Sequence, residues 1–298
     1  MRIAFATTNP EVLGHEDVDR LLHEEAFARA GVALDHCVWW DPEVHWDRYD
    51  LVVIRSPWDY VSRLDEYRQW LRAMDAFGTL RNPAALVEWN IDKRYLLELG
   101  AAGVPVIPTR VATSVAELAA VLASMVGEAV VKPVVSAGSA DTGRFGPRDP
   151  GAMALGSRIL DGGIPVMVQP AVASVATEGE ISTVLFGGVP SHSFRKGPIL
   201  ALGGGFAGQA YEEQVAAEAL SAAQRHVVVT AIEAVTRVAV ERLGVAVPLL
   251  YARVDLVRAD DGRELVLEVE LNEPSFFLPV DSGAADRFVA TTIAQVGT

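Results

Sequence analysis

The chain has 298 residues, half of them hydrophobic, with 39 acidic against 25 basic side chains and a net charge of −14. That length suggests two or three domains with enough apolar material for their cores, which excludes intrinsic disorder. The acidic balance argues against nucleic acid or an anionic membrane as the main partner, and no run of about 18 apolar residues offers a membrane span.

Arg2 to Thr7 reads as a buried strand, too short in its apolar part for a secretory signal. Asp17 to Gly31 reads as a helix with Leu21, Leu22, Ala26 and Ala30 on its apolar side and a glycine at its end. Val32 to Trp40 returns as a second strand; it holds Cys37, the single cysteine. No intrachain disulfide is then possible, and a buried thiol in a reducing cytoplasm is expected. Tyr49 to Arg55 is a third strand, continuously apolar as in a sheet covered on both faces, and Leu64 to Phe77 is a helix. This alternation predicts an N-terminal α/β domain over residues 1–88, with a parallel sheet and ligands at the carboxyl ends of its strands. One such end carries Arg55, Ser56, Trp58, Asp59 and Tyr60. A guanidinium, a hydroxyl and two aromatics suit a small-substrate pocket that holds a carboxylate. An ordinary turn plugged by Trp58 is the other reading.

No G-x-G-x-x-G follows the first strand and no Walker-A sequence occurs, so a nucleotide site must be of another design. Arg81 to Asn90 reads as a linker, and Ile91 to Ala102 as a helix with Lys93 in its first turn. A cation there opposes the helix dipole, which hints at phosphate binding. After a helix over Val115 to Met125, the strand Ala129-Val130-Val131-Lys132-Pro133 buries a lysine that must be paired or lie over a polar cleft. The small-residue loop that follows, with Ser136, Gly138 and Ser139, can lay backbone N–H groups against phosphate or stand as a plain hairpin tip. Val166 to Pro170 is a short strand halted by a proline. Glu180 to Phe186 and Val189 to Lys196 form a hairpin around Gly187-Gly188, with Arg195 and Lys196 at its end able to meet phosphate or a carboxylate. Gly204 and Gly205 belong to a second glycine-rich loop, read as a mobile cover over the acceptor site. Ser221 to Leu243 is the longest helix, and a last helix runs from Gly283 to Val296.

The most informative stretch is the pair Leu249–Arg258 and Leu265–Phe277. If Asp261-Gly262 is a two-residue turn, Arg253 lies opposite Glu270 and Asp255 opposite Glu268. Leu265, Leu267, Val269 and Leu271 then face one way; Glu268, Glu270 and Asn272 face the other. Oxygen donors so close repel unless a cation sits among them, and they suit a hard ion such as Mg2+ that shares its site with phosphates. A charged, solvated hairpin face is the bland alternative, although Asn is poor in strands.

An Asp on one strand and a Glu-x-Asn on the next, after a strand-Lys-Pro and a small-residue loop, resembles the ATP-grasp ligases. The resemblance covers nearly the whole chain. It implies a mixed α/β and α+β architecture in which an N-terminal parallel-sheet domain precedes two lobes, residues 89–172 and 173–298, that hold ATP between them. It assigns Asp255, Glu270 and Asn272 to the metal, with Glu268 as an extra carboxylate, and Mg2+ as the ion, with Mn2+ of the same class. Lys93, Lys132, Ser136, Gly138 and Ser139 fall to the phosphates; Gln169, Ala171 and Val172 to the adenine hinge; and Glu178 or Glu180 to the ribose. Arg253, Lys132 and Arg195 would be catalytic. Arg55, Ser56, Trp58, Asp59, Gly204, Gly205 and Ser275 would meet the substrate. The implied chemistry activates a carboxylate as an acylphosphate for attack by nitrogen. The RSPWDY and NEPSFFLP segments look like those of small actinobacterial-type members, which implies a ring closure within one amino-acid-like substrate. An intermolecular carboxylate–amine ligase, a kinase and a non-catalytic nucleotide-binding module are the alternatives; a homo-oligomer is compatible with each.

Overall fold

A computed structural model describes residues 1–9, 17–138, 140–197, 214–245 and 249–297. Its first layer contains β1 (Arg2–Thr7), α1 (Arg20–Arg29), β2 (Ala33–Val38), β3 (Leu51–Ser56), α2 (Leu64–Asp75) and β4 (Leu80–Arg81). The strands lie in the order β2-β1-β3-β4, all parallel. β1 and β3 take the middle because their apolar runs are buried on both faces.

Two short helices follow, α3 (Ala84–Asn90) and α4 (Tyr95–Ala101). The expected linker is therefore largely helical. Pro83 precedes its first residue in extended conformation, and Ala84, Leu86 and Val87 give it an apolar side to bury. Lys93 lies in the turn between these helices rather than in a first helical turn, so the dipole argument does not apply to it.

The middle layer contains β5 (Arg110–Ala112), α5 (Val115–Ser124), β6 (Ala129–Pro133), β7 (Gly143–Phe145), α6 (Pro150–Asp161) and β8 (Val166–Pro170), its antiparallel sheet ordered β5-β8-β6-β7. The last layer begins with α7 (Ala173–Glu178), β9 (Glu180–Phe186), β10 (Val189–Lys196) and β11 (Val215–Ala217). It continues with α8 (Ala222–Arg237), β12 (Tyr251–Arg258), β13 (Glu264–Glu270) and α9 (Ala284–Ala294). Its antiparallel order is β11-β10-β9-β12-β13. Helix α8 starts at a full capping box between Ser221 and Gln224 and ends in a π turn over Val238–Arg242.

The outer edge of β13 is covered by the segment that links the first two layers. Val266 N–H donates to Pro105 O at 2.7 Å, and Ile107 N–H to Val266 O at 3.2 Å. The Asn90 side chain donates to Val269 O at 2.8 Å and accepts from Leu271 N–H at 2.7 Å. The Tyr95 hydroxyl accepts from Val269 N–H at 2.8 Å. These bonds satisfy an edge that would otherwise present unpaired backbone groups, and they bring Lys93 beside the acidic face of β13. Among the described residues no helix is long and apolar enough to cross a membrane.

Candidate active site

A cleft of about 580 Å³ opens between the middle and last sheets, with one wall supplied by the loop after β3. That volume lies within the range of ordinary small-molecule sites. The acidic hairpin lies along it in the expected register: Arg253 pairs with Glu270 and Asp255 with Glu268. The turn itself is different. Ala259 N–H donates to Arg263 O at 2.8 Å, which makes a three-residue loop of Asp260, Asp261 and Gly262. A register shift after Asp255, where Leu256 pairs with Val266, restores the pairing beside the cleft. The extra residue is Leu267. Strict alternation turns it away from Glu268, but it lines the cleft with Glu268 because a bulge re-aims the residues around it.

The acidic groups are matched by bases. Arg253 holds Asp255 with two hydrogen bonds of 2.9 and 3.0 Å, bonds Glu270, and donates to Ser275 O at 3.1 Å. Lys196 reaches Asp255 at 2.8 Å and Glu180 at 3.2 Å. Burial opposes ionisation of Asp255, yet Arg253 and Lys196 outweigh it and hold the carboxyl well below its usual range. Lys93 donates to Ser136 O at 2.7 Å and pairs with Glu268 at 3.1 Å. Burial works against the Lys93 charge, and Glu268 more than restores it. Glu268 is likewise lowered by Lys93 and Lys132 against its burial. Glu270 is pushed up to about 8 by burial, with Glu268 and Asp255 adding repulsion against the pull of Arg253. Lys132 has no ion pair among the described residues, and burial lowers its pKa. It offers the cleft an uncommitted cation.

Hard oxygen donors and nearby bases suit a divalent ion. Asn272 is 3 % exposed, and its Nδ2 has no partner among the described residues, while its Oδ1 accepts from Tyr67. Which end of an amide is oxygen is an assignment made from such bonds. Turned over, the amide would give Tyr67 its N–H and leave its oxygen for a cation. Among the described residues no three His, Cys, Asp or Glu side chains converge enough to cage an ion by themselves. The set therefore fits an ion of the Mg2+ type, which keeps water and phosphate among its ligands.

The cleft gathers Lys93, Lys132, Ser136, Gly138, Gln169, Ala171 and Val172, together with Glu180, Trp58 and Ser275. Ser139, Gly204 and Gly205 lie outside the described residues. Five other expected residues are absent from the cleft lining. Arg55 is fully buried: it sits over the Phe276 ring at 3.6 Å and donates to Pro274 O at 3.0 Å, so it shapes the loop behind the site. Ser56 is buried, with its carbonyl accepting from Thr8 N–H at 2.9 Å. Asp59 accepts from the indoles of Trp39 and Trp40 at 2.7 and 2.9 Å. Glu178 pairs with Arg258 on the surface, leaving Glu180 as the acid on the cleft. Arg195 bonds Glu178 O and Glu218 beside a separate depression. At a strand end a charged residue reads as functional from sequence, but for Arg55 the long-range cover by residues 274–278 decides otherwise.

The sequence reads Lys196 only as able to meet phosphate or a carboxylate, and it leaves Glu273 and Tyr67 out of the site. Lys196 pairs with Glu180 across the hairpin only because a shift between Pro190 and His192 alters the register. Its approach to Glu180 also needs Gly179, whose added Cβ would fall 1.9 Å from Lys196 O. Glu273 enters the cleft because the strand ends at Glu270 and alternation stops. Tyr67 reads as a core residue of an amphipathic helix. Burial lowers the pKa of His192, a residue left without a role by the sequence, and its Nε2 joins Phe276 O at 2.6 Å, so it supports the same loop as Arg55.

Residues 3–82 match the family model described as D-cycloserine synthetase DcsG, N-terminal domain. The chain is 36% identical over 272 residues to the cycloserine biosynthesis protein DcsG of Streptomyces lavendulae, covering 89% of each. The crystal structure of D-cycloserine synthetase DcsG superposes with a TM-score of 0.89 at 34% identity, over 99% of this chain and 100% of that one. The ATP-grasp ligase PsnB, solved with minimal precursor, Mg and ADP, shares the fold at a TM-score of 0.59 and 17% identity, over 98% of both chains. The chain has the ATP-grasp fold, belongs to the D-cycloserine synthetase family and is an ATP-dependent ligase.

Proposed function

We propose that this ligase activates the carboxylate of O-ureido-D-serine and closes it on its own ureido nitrogen, giving D-cycloserine. The observation that carries this is the basic and acidic cleft of a chain that is 36% identical to a cycloserine biosynthesis protein. The substrate carboxylate attacks the γ-phosphate of ATP, and an acylphosphate and ADP result. The ureido nitrogen bonded to oxygen then forms the C–N bond, and phosphate leaves with one carboxylate oxygen. Water then adds to the carbamoyl carbon, the bond to the ring nitrogen breaks with a proton passing to that nitrogen, and the carbamate released breaks down to carbon dioxide and ammonia.

A divalent ion held by Asp255, Glu270 and Asn272, with Glu268 beside them, supplies charge neutralisation for the triphosphate; Mg2+ is our choice and Mn2+ its nearest substitute. Lys132, buried and uncommitted, holds phosphate oxygens together with the backbone of Ser136 and Gly138. Lys93 ties that loop to Glu268 and so fixes one lobe against the other. Gln169, Ala171 and Val172 bound the adenine, and Glu180 is the acid for the ribose. Arg253, held by Asp255 and Glu270, points its charge at the forming acylphosphate. No side-chain nucleophile is required, in keeping with a lining that contains no cysteine or histidine among the described residues. The single thiol, Cys37, supports a cytoplasmic setting.

Mass spectrometry of the products from ATP, Mg2+ and O-ureido-D-serine tests this reading. Ring product without any added acceptor is expected. Turnover only when a separate amine is supplied would replace it with an intermolecular ligase, and an accumulating phosphorylated product with a kinase.

A further inference from the structure

We propose that Glu273, oriented by Tyr60, is the receptor for the ammonium group of an α-amino-acid substrate; this rests on the ligase reading above. Five carboxylates line the cleft: Glu180, Asp255, Glu268, Glu270 and Glu273. Four of them carry a lysine or arginine ion pair: Glu180 and Asp255 with Lys196, Glu268 with Lys93, and Glu270 with Arg253. Glu273 has no such pair within 4 Å among the described residues; Lys93, committed to Glu268, acts on it only from farther off, and the Tyr60 hydroxyl bonds its side chain. The residues outside the described set, 10–16, 139, 198–213, 246–248 and 298, include no lysine or arginine to supply one. A part-buried carboxylate held by a neutral hydroxyl is suited to a cation that arrives with the ligand.

Its position suits the α-ammonium. An α-amino acid carries ammonium and carboxylate on one carbon, so their two receptors must be neighbours. Arg253, the group placed for the carboxylate, donates to Ser275 O, two residues along the same loop as Glu273. The loop is pinned on its far side: Trp58 Nε1 donates to Glu273 O at 3.2 Å and Arg55 to Pro274 O at 3.0 Å. Tyr60 and Trp58 both follow β3, so the N-terminal layer would recognise the substrate through this wall, and not through the Arg55 guanidinium.

The test is a cycle of two proteins and two substrates. Wild type and Glu273→Gln are assayed with O-ureido-D-serine and with its des-amino analogue, 3-(ureidooxy)propionate, while ADP release and half-saturating Mg2+ are followed. Loss of a charge-assisted bond should raise KM for the amino compound about 10- to 100-fold, with kcat changed less. The wild-type preference for the amino compound should collapse to about the same extent in the variant, and the Mg2+ requirement should stay unchanged. Tyr60→Phe should move the same ratio in the same direction by a smaller factor. Equal loss on both compounds, a retained preference, or a raised Mg2+ requirement would overturn the assignment, the last by making Glu273 a metal residue. If Glu273→Gln melts early, Glu273→Asp carries the same readout. Should wild type fail to turn over O-ureido-D-serine, the proposed reaction falls. The cycle is then run with whichever amino acid stimulates ADP release and its own des-amino partner, and it still decides the role of Glu273.

Discussion

The Tyr67 hydroxyl donates to the Asn272 amide oxygen across 2.6 Å, joining helix α2 of the first layer to the end of the acidic hairpin in the last. Both residues are buried, and the Tyr251 hydroxyl fixes the Asn272 backbone by donating to its carbonyl at 2.6 Å. A hydroxyl can accept as readily as donate. Tyr67 can therefore hold the Asn272 amide with its oxygen turned toward an ion. Groups that orient a metal ligand in this way are worth about 10- to 100-fold in metal affinity. Tyr67→Phe should raise the Mg2+ needed for half-maximal ADP release about tenfold, with the melting temperature of the free protein little changed. It should also weaken Mn2+ binding measured by electron paramagnetic resonance with a non-hydrolysable nucleotide. Unchanged metal titrations would separate Tyr67 from the site.

Glu270→Gln removes a carboxylate bonded to Arg253 while keeping its shape. Turnover should fall by about 10²-fold or more, the scale of losing one charged group at a developing charge. The melting curve should remain a single transition near that of wild type. Near-normal turnover would take Glu270 out of the metal set.

Lys132→Ala deletes the cation that has no ion pair among the described residues. The ATP concentration for half-maximal rate should rise about tenfold or more, the worth of a charge-assisted bond to phosphate. An unchanged nucleotide requirement and rate would reassign β6 to a purely structural part.

Asp19 gives the pH dependence of stability a local signature. It is fully buried and accepts from the N–H groups of Phe276, Phe277 and Leu278 at 2.6, 3.2 and 2.7 Å. Burial pushes its pKa up to about 6, with Asp17 adding repulsion against Arg55 and the backbone donors. A carboxyl raised in this way binds more protons folded than unfolded between about pH 4 and 6. Its contribution is fully present below the unfolded value and lost as pH rises through the folded one. About two pKa units correspond to ~3 kcal/mol. The stability of wild type minus that of Asp19→Asn, from denaturant melts, should fall by that order between pH 4 and 7. A difference that stays flat or rises would contradict the burial argument.

Much of the site could be read from sequence because it is local. Asp255, Glu268 and Glu270 share a face through strand alternation, and their register needed only a turn signal. The turn has one residue more than the Asp-Gly signal implies, and the bulge at Leu267 compensates for it, so the pairing at the cleft is the expected one. The parallel layer was legible for the same reason: β1 and β3 are continuous apolar runs separated by helical periodicity. What could not be read is long-range. Arg55 and Asp19 meet residues 274–278 across more than 200 positions, and no periodicity announces that contact. Asp59 at a strand end resembles a substrate ligand until the indoles of Trp39 and Trp40 are seen to occupy it.

The most direct measurement follows the carboxylate oxygens. O-ureido-D-serine labelled with ¹⁸O in its carboxylate is turned over with ATP and Mg2+, and the released phosphate is examined by mass spectrometry or ³¹P resonance. Activation as an acylphosphate predicts one ¹⁸O atom in each phosphate, formed in step with ring product. Phosphate that carries no label while ring product forms would contradict carboxylate phosphorylation, and with it the reaction assigned to this cleft.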